Sequence, residues 1–169
     1  LVEYRRDATK YAKHIKLNIL QVLDLLPEEL TRKNKRFLVA DVEKGGRYDR
    51  MQDGFLWLAE AGIGLPCTAV SEPRVPLRLS QKSSFFKLYM NDVGLLSAMY
   101  MEGLQFRILS GETSINNGAI YENFVAQELA AHGFPLHYCM GENIGEIDFI
   151  IQYNGKVLPI EAKSGRRYR

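Results

Sequence analysis

Four charged side chains near the end of the chain have residue types that suit metal-ion chemistry. They are Glu146, Asp148, Glu161 and Lys163, and an Asn154-Gly155 pair lies between the first two and the last two. Carboxylate oxygens are the ligands that hard cations such as Mg²⁺ prefer, whereas a lysine ammonium can neutralise the same carboxylates. Which of these happens depends on how the flanking segments place the four side chains.

The segment 146–163 is predicted to form a β-hairpin. An Asn-Gly pair between two alternating runs is typical of a two-residue type I′ turn, because both residues tolerate a positive φ. If Tyr153 faces Lys156, the register puts apolar pairs on one face: Ile151 with Leu158, Phe149 with Ile160, and Ile147 with Ala162. On the other face the same register sets Asp148 opposite Glu161 and Glu146 opposite Lys163.

Opposed carboxylates on such a hairpin repel each other, because directly opposed Cβ atoms lie only about 4.5–5.5 Å apart. A divalent cation bound by Asp148 and Glu161 would offset this repulsion. Two alternatives stay open from the hairpin alone. Either Lys163 neutralises the acidic pair, or Glu146 and Lys163 form an ordinary exposed ion pair.

A helix before the hairpin is predicted to add another carboxylate. Residues 118–132 form an amphipathic pattern that ends at Gly133. Its apolar arc consists of Ile120, Tyr121, Phe124, Val125 and Leu129, with Asn123 on the far side. Glu122 lies at the border of the arc and Glu128 in its middle, and a carboxylate that faces the core needs a partner. The alternative is that either glutamate turns out towards solvent.

The first half of the chain is predicted to be mostly helical. Residues 4–33 and 47–61 show helical periodicity, and Pro27 marks a kink or a break in the first of them. Several prolines then confine the short segments of residues 63–84 to edge strands.

Helices followed by a two-stranded ribbon are the order of a winged helix. In that fold Lys44, Arg47 and Arg50 would reach the major groove and phosphates of DNA. The alternative is that these are solvated residues on a module that packs against other domains.

Composition sets broad limits on the class of protein. The 169 residues are 46% hydrophobic and 25% charged, with a net charge of +2 that is too small to indicate nucleic-acid binding by itself. The two cysteines show no metal-ligand spacing and no apolar run could span a bilayer, so we expect a cytoplasmic protein with no membrane partner. Because the chain starts at Leu1 and stops just after Lys163, we expect a fragment of a longer protein.

The helix with Glu122, the strand with Asp148 and the strand with Glu161-Ala162-Lys163 together resemble the PD-(D/E)XK nuclease superfamily. The resemblance implies that Asp148 and Glu161 bind Mg²⁺, that Lys163 positions the attacking water, and that Glu122 is an additional ligand or supports the ligands from behind. Ile147 stands before Asp148, so the literal Pro-Asp signature is absent.

A closer resemblance covers nearly the whole chain. Residues 86–96, 118–129, 145–150 and 158–165 look like the C-terminal domain of unknown function in a family of prokaryotic AAA-type ATPases. Residues 34–38 and 44–61 look like the winged helix of that family. The implied fold class is α+β (α/β). A mostly helical winged-helix domain would cover residues 1–84, and a restriction-endonuclease-like domain would cover residues 85–169, with a small mixed sheet flanked by helices and a truncated C-terminus.

The resemblance implies a C-terminal fragment that carries a Mg²⁺-dependent phosphodiester-cleaving site. The alternative is a catalytically inactive module that binds nucleic acid or protein under ATPase control. The chain contains no G-x-x-x-x-G-K-[ST] loop, so ATP would bind only to a module outside it. The expected partners are nucleic acid, the protein's own N-terminal ATPase module and, in a homo-oligomer, further copies of the chain.

Overall fold

The computed structural model describes residues 1–11, 15–31, 48–100, 103–112, 117–141 and 145–163. Its helices are α1 (Val2–Tyr11), α2 (Lys16–Thr31), α3 (Tyr48–Glu60), α4 (Val93–Tyr100), α5 (Leu104–Leu109) and α6 (Gly118–Ala131). Its strands are β1 (Gly64–Val70), β2 (Gln81–Met90), β3 (His137–Gly141), β4 (Gly145–Tyr153) and β5 (Lys156–Ile160), and a short 3-10 helix spans Leu77–Ser80. The predicted α+β class is confirmed.

All five strands form one mixed sheet in the order β2-β1-β3-β4-β5. The β1–β3 pair is parallel and the other pairs are antiparallel. The boundary expected at residue 84 falls inside β2, so the strands on either side of it belong to the same sheet.

The expectation that residues 63–84 supply only edge strands is wrong for β1. This strand is interior, because it pairs with β2 on one side and with β3 on the other. Pro66 is tolerated since β3 pairs with β1 only from Thr68 onwards, so the proline lies where β1 has a single neighbour.

Pro27 was predicted to mark a kink or a break, and the break is wrong. Helix α2 continues through Pro27 to Thr31. Leu23, Leu26 and Leu30 are buried on both sides of the proline, so packing of this face holds the helix together although one backbone donor is lost.

The sheet has a different apolar cluster on each face. Residues of α2, α3 and α6 pack with Tyr89, Tyr138 and Phe149 in the larger cluster. The smaller cluster contains Val70, Leu77, Cys139 and Ile150. Among the described residues, no helix has the length and hydropathy needed to cross a membrane.

The predicted hairpin is confirmed, and its register is confirmed for the five pairs nearest the turn, whereas the pairs predicted beyond them, from Asp148 opposite Glu161 onwards, are not formed. Tyr153 pairs with Lys156, and the ladder continues to Phe149 opposite Ile160, where β5 ends. Asn154 and Gly155 have φ values of 48° and 72°, as a type I′ turn requires.

Strand β4 contains a β-bulge that the alternating pattern does not show. Cys139 pairs with Ile147 and His137 with Ile150, so three steps along β4 match two steps along β3. A bulge of this kind resets the alternation of side chains between the two faces. Glu146 therefore lies on the same face as Phe149. Strict alternation along the sequence had predicted that these two residues lie on opposite faces.

Candidate functional site

Lys87 lies at the centre of a buried charged cluster on the helix-covered face of the sheet. Its side chain is 0% exposed, and its Nζ atom is 2.5 Å from Glu146 Oε1 and 3.5 Å from Glu122 Oε1. The same ammonium lies 4.9 Å from the ring centroid of Tyr138, which is within cation–π range. Strands β2, β3 and β4 and helix α6 thus meet at one lysine.

Glu122 faces the core, as one of the two predicted alternatives requires. It is 2% exposed, and Tyr89 donates its hydroxyl hydrogen to Glu122 Oε1. Burial raises the pKa of Tyr89 well above its ordinary value, and the charges of Cys67, Asp148 and Glu146 raise it further. Tyr89 therefore stays protonated and remains a donor to Glu122. Glu128, the other glutamate considered, is only partly buried.

Asn123 has a role that the helical wheel did not predict. The wheel placed it on the far side of the helix, whereas it is fully buried, and Tyr121 and Phe124 of the predicted apolar arc are 43% and 47% exposed. Its Oδ1 accepts a hydrogen bond from Met90 N at 2.7 Å, and its Nδ2 donates to Met90 O at 2.8 Å. Helix α6 is rotated so that this amide pairs with the backbone of β2, an interaction that hydrophobicity does not encode.

Asp148 is joined to the end of the hairpin by a side-chain hydrogen bond. Ala162 N donates to Asp148 Oδ2 at 2.9 Å, just beyond the end of β5. This bond places the carboxylate beside the segment that holds Glu161 and Lys163. Asp148 and Glu161 do not form a cross-strand pair within the ladder, because β5 ends at Ile160.

The lysine at the end of the hairpin contacts Glu161. Lys163 Nζ donates to Glu161 Oε2 at 2.7 Å, and this bond and the nearby Asp148 raise the pKa of Lys163. The expected pairing of Glu146 with Lys163 is wrong, because the bulge turns Glu146 towards Lys87 instead. Of the acidic pair that Lys163 was predicted to neutralise, its ammonium contacts Glu161.

Lys87, Glu146 and Asp148 all affect the pKa of one buried thiol, that of Cys67. Burial raises the pKa of this thiol to about 12; Lys87 lowers it, while Glu146 and Asp148 raise it. Cys67 and Cys139 are both buried free thiols.

The residues expected to bind metal are thus distributed over two adjoining places. Glu122 contacts Lys87 and Tyr89, whereas at the end of the hairpin Asp148 accepts a hydrogen bond from Ala162 N and Glu161 accepts one from Lys163. Within the described residues, no group of three or more His, Cys, Asp or Glu side chains is arranged to hold a metal ion. A cation would therefore depend on Asp148, Glu161 and backbone or water oxygens, a donor set that suits Mg²⁺, which keeps several waters.

Most of the residues predicted to contact nucleic acid lie outside the part of the chain that the structure describes. Lys44 and Arg47 lie outside the described residues, and Arg50 lies in α3.

The sequence matches the models of two protein families. Residues 3–107, well over half of the chain, match a domain of unknown function, DUF8612. The chain belongs to the DUF8612 family. Residues 117–169 match a second domain of unknown function, DUF4143. Neither the curated proteins nor the solved structures include a match to this chain.

The charged cluster is built from both matched regions. Lys87 and Tyr89 come from the DUF8612 region, whereas Glu122, Glu146 and Asp148 come from the DUF4143 region. Sequence reasoning did not identify Lys87 or Tyr89. The one signal for them was a lysine inside the otherwise apolar run of residues 85–90, where a charge is out of place unless it has a buried partner.

Proposed function

We propose that this chain carries a Mg²⁺-dependent phosphodiester-cleaving site of the nuclease type at Asp148, Glu161 and Lys163. The observation that supports it best is the hydrogen bond from Ala162 N to Asp148 Oδ2. It joins the aspartate of β4 to the Glu161–Lys163 segment, although the backbone ladder has already ended.

Each side chain has a distinct role in this proposal. Asp148 and Glu161 hold the cation, which supplies charge stabilisation for the phosphoryl oxygens when bound. Lys163 orients the water from its place beside Glu161, to whose carboxylate its ammonium donates. Glu122 acts from behind the site, because its carboxylate contacts Lys87 and Tyr89.

The DUF4143 match supports the wider setting, since this domain commonly occurs together with AAA-type ATPases. In this proposal the chain is the C-terminal part of such a protein, ATP binds to the ATPase module, and nucleic acid is the substrate. The two buried free thiols favour a reducing compartment such as the cytoplasm.

A cleavage assay tests the proposal. Single- and double-stranded DNA and RNA are incubated with the protein and Mg²⁺ or Mn²⁺, and Asp148→Ala and Glu161→Ala should each reduce cleavage by at least about 100-fold. Glu72→Ala is the matched control, because Glu72 is an exposed carboxylate far along the chain from the site, and it should leave the rate unchanged. Cleavage that survives in both site variants would show that the assignment is wrong.

A second candidate function is a non-catalytic module that binds nucleic acid or protein under ATPase control. It is favoured by the ion pair between Lys163 and Glu161, which already satisfies a carboxylate that the cation would need. Calorimetric titration with Mn²⁺ separates the two functions. Binding that Asp148→Asn abolishes supports the nuclease, whereas absence of binding supports the module.

The DNA-binding form of this second function uses the winged-helix interpretation. It rests on the order of α1, α2 and α3 followed by the antiparallel β1–β2 pair, although β1 also pairs with β3 in the five-stranded sheet. If Arg47 and Arg50 contact phosphates, DNA affinity should fall steeply with salt, and charge reversal at both should flatten that slope.

A further inference from the structure

A cleft of about 350 Å³ lies between the 3-10 helix and the end of the sheet where β3 begins. Small-molecule sites in proteins usually have volumes of roughly 300–1,000 Å³. The residues that line the cleft are Pro76, Leu77, Arg78, Pro135, His137 and Gln152. The cleft is therefore large enough to hold a small organic molecule.

The cleft lies on the opposite face of the sheet from the charged cluster around Lys87. His137 pairs with Ile150, and directly opposed residues of an antiparallel pair point to the same face. Ile150 belongs to the smaller apolar cluster together with Leu77. Gln152 follows Ile150 by two positions along β4 and so shares its face. An inference about this cleft uses none of the residues of the proposed function.

The walls of the cleft are mainly apolar. Pro76, Leu77 and Pro135 supply most of the carbon surface that a ligand would contact. Apolar walls favour a ligand with an apolar body, because removal of apolar surface from water is favourable. A few polar groups among apolar walls are typical of small-molecule sites, in which those groups fix the orientation of the ligand.

His137 is a buried and neutral member of the lining. Its side chain is 6% exposed, and its Nδ1 atom lies 3.5 Å from Gln81 Nε2, which is too long for a strong hydrogen bond. Burial lowers the pKa of His137, although a hydrogen bond with the backbone of Thr68 acts in the opposite direction. The imidazole is therefore neutral at pH 7 and offers a hydrogen bond but no charge.

Arg78 gives the cleft its positive charge. The side chain is exposed, and no acidic side chain of the described residues lines the cleft. Glu72, the acidic residue nearest to Arg78 in the sequence, instead lies with its Oε2 atom 3.9 Å from Arg74 Nε. Because a guanidinium presents a fork of N–H donors that matches a carboxylate, the charge of the cleft favours a carboxylate ligand.

We propose that this cleft binds a small organic acid, with its carboxylate paired with Arg78 and its apolar body against the two prolines and Leu77. Gln152 and His137 supply the neutral hydrogen-bonding groups that orient the ligand. Both matched regions contribute to the site. The segment 76–78 belongs to the DUF8612 region, whereas Pro135, His137 and Gln152 belong to the DUF4143 region.

Titration of the ¹⁵N-labelled full chain with two matched probes, followed by two-dimensional NMR, tests the proposal. The probes are 2-naphthoate and 2-naphthamide, which share an apolar body and differ in charge. Saturable shifts with 2-naphthoate should centre on the residues that line the cleft. The amide should bind about fivefold more weakly or worse, because a pair at the rim of an apolar cleft lies between an exposed ion pair and a buried charge-assisted hydrogen bond. Equal affinity for the two probes would overturn the carboxylate assignment.

Arg78→Met tests the cation itself. This variant should lose about fivefold or more of its affinity for 2-naphthoate and keep its affinity for 2-naphthamide. Arg74→Met is the matched control, since it removes an exposed arginine of the same segment that does not line the cleft, and it should bind both probes as the wild type does. An unchanged affinity of Arg78→Met for 2-naphthoate refutes the role of Arg78.

Gln152→Trp tests the place of binding without a change of charge. Gln152 is exposed on β4, so a larger side chain can be accommodated there, and its indole ring should fill the cleft and abolish binding of both probes. Binding that survives in folded Gln152→Trp would show that the probes bind elsewhere. Absence of saturable binding to the wild type at about 10 mM 2-naphthoate, well above the dissociation constant expected for a ligand of this size, would also refute the proposal.

Discussion

Asn123→Ala should be among the most destabilising single substitutions in α6. The asparagine amide bonds both backbone groups of Met90, at 2.7 and 2.8 Å, and both residues are fully buried. Removal leaves one N–H and one C=O without their partner, and each such buried group costs about 1–3 kcal/mol. The expected loss in the free energy of unfolding is therefore about 2–6 kcal/mol, a large part of the typical total of about 5–15 kcal/mol.

Urea titration followed by circular dichroism measures this loss, with Gln127→Ala as the graded control. Gln127 lies one turn further along α6 and accepts a single hydrogen bond, from Val93 N at 2.9 Å in a partly buried place. Its removal should cost about 1 kcal/mol. If the two variants lose equal stability, or if Asn123→Ala loses less than about 1 kcal/mol, then the paired amide does not hold α6 on β2.

Asn123→Asp adds an internal check on the same contact. The carboxylate keeps an acceptor for Met90 N but cannot donate to Met90 O, and its buried charge is unfavourable at neutral pH. Burial raises the pKa of such a carboxyl, and the protonated form can donate again. The stability of this variant relative to wild type should therefore improve as the pH falls, and a pH-independent difference would contradict the assigned geometry.

Three further predictions concern the turn, a buried thiol and a buried hydroxyl. Gly155→Ala should cost about 1–2 kcal/mol of stability through the φ of 72° alone, because an added Cβ meets no neighbour within 4 Å. Asn154→Gly should be nearly neutral, and thermal unfolding of the two variants compares them. The pKa of Cys67 is raised in the folded state from 9.0 to about 12, so the stability that this thiol contributes is complete below pH 9 and is lost as the pH rises towards 12. Urea titrations at a series of pH values should therefore show that the free energy of unfolding declines less steeply with rising pH for Cys67→Ala than for wild type. Tyr89→Phe removes the donor to Glu122 and should cost about 1.5–3 kcal/mol in urea, and a loss below about 0.5 kcal/mol would show that the hydroxyl is not needed there.

Features of the fold that depend on local chemistry could be predicted from the sequence. The Asn154-Gly155 turn fixes the register of β4 and β5, because φ preferences act within two residues. Helix α6 and its end near Gly133 also follow from local pattern, and Gly133 has a φ of 80°.

Features that depend on contacts between distant segments could not be predicted. The bulge in β4 is visible only in its pairing with β3, yet it decides that Glu146 meets Lys87 and not Lys163. The rotation of α6 depends on the amide of Asn123 reaching a strand 33 positions earlier. Asp148 and Glu161 were predicted to face each other across the two strands, but β5 ends at Ile160 and Asp148 instead accepts a hydrogen bond from Ala162 N.

The interior position of β1 has a consequence for how the chain is made. Its partner β2 follows at residue 81, but β3 begins at His137, some 67 positions after Val70. At about 5–20 residues per second on the ribosome, one edge of β1 stays open for roughly 3–13 seconds. During that interval Glu122 and Glu146, the two carboxylates that pair with Lys87, have not yet been synthesised. A nascent chain that ends at residue 107 therefore has an unpaired strand edge and a lysine charge without its partners. The DUF8612 region should therefore aggregate when it is released alone, and become soluble only once β3 and β4 have been synthesised.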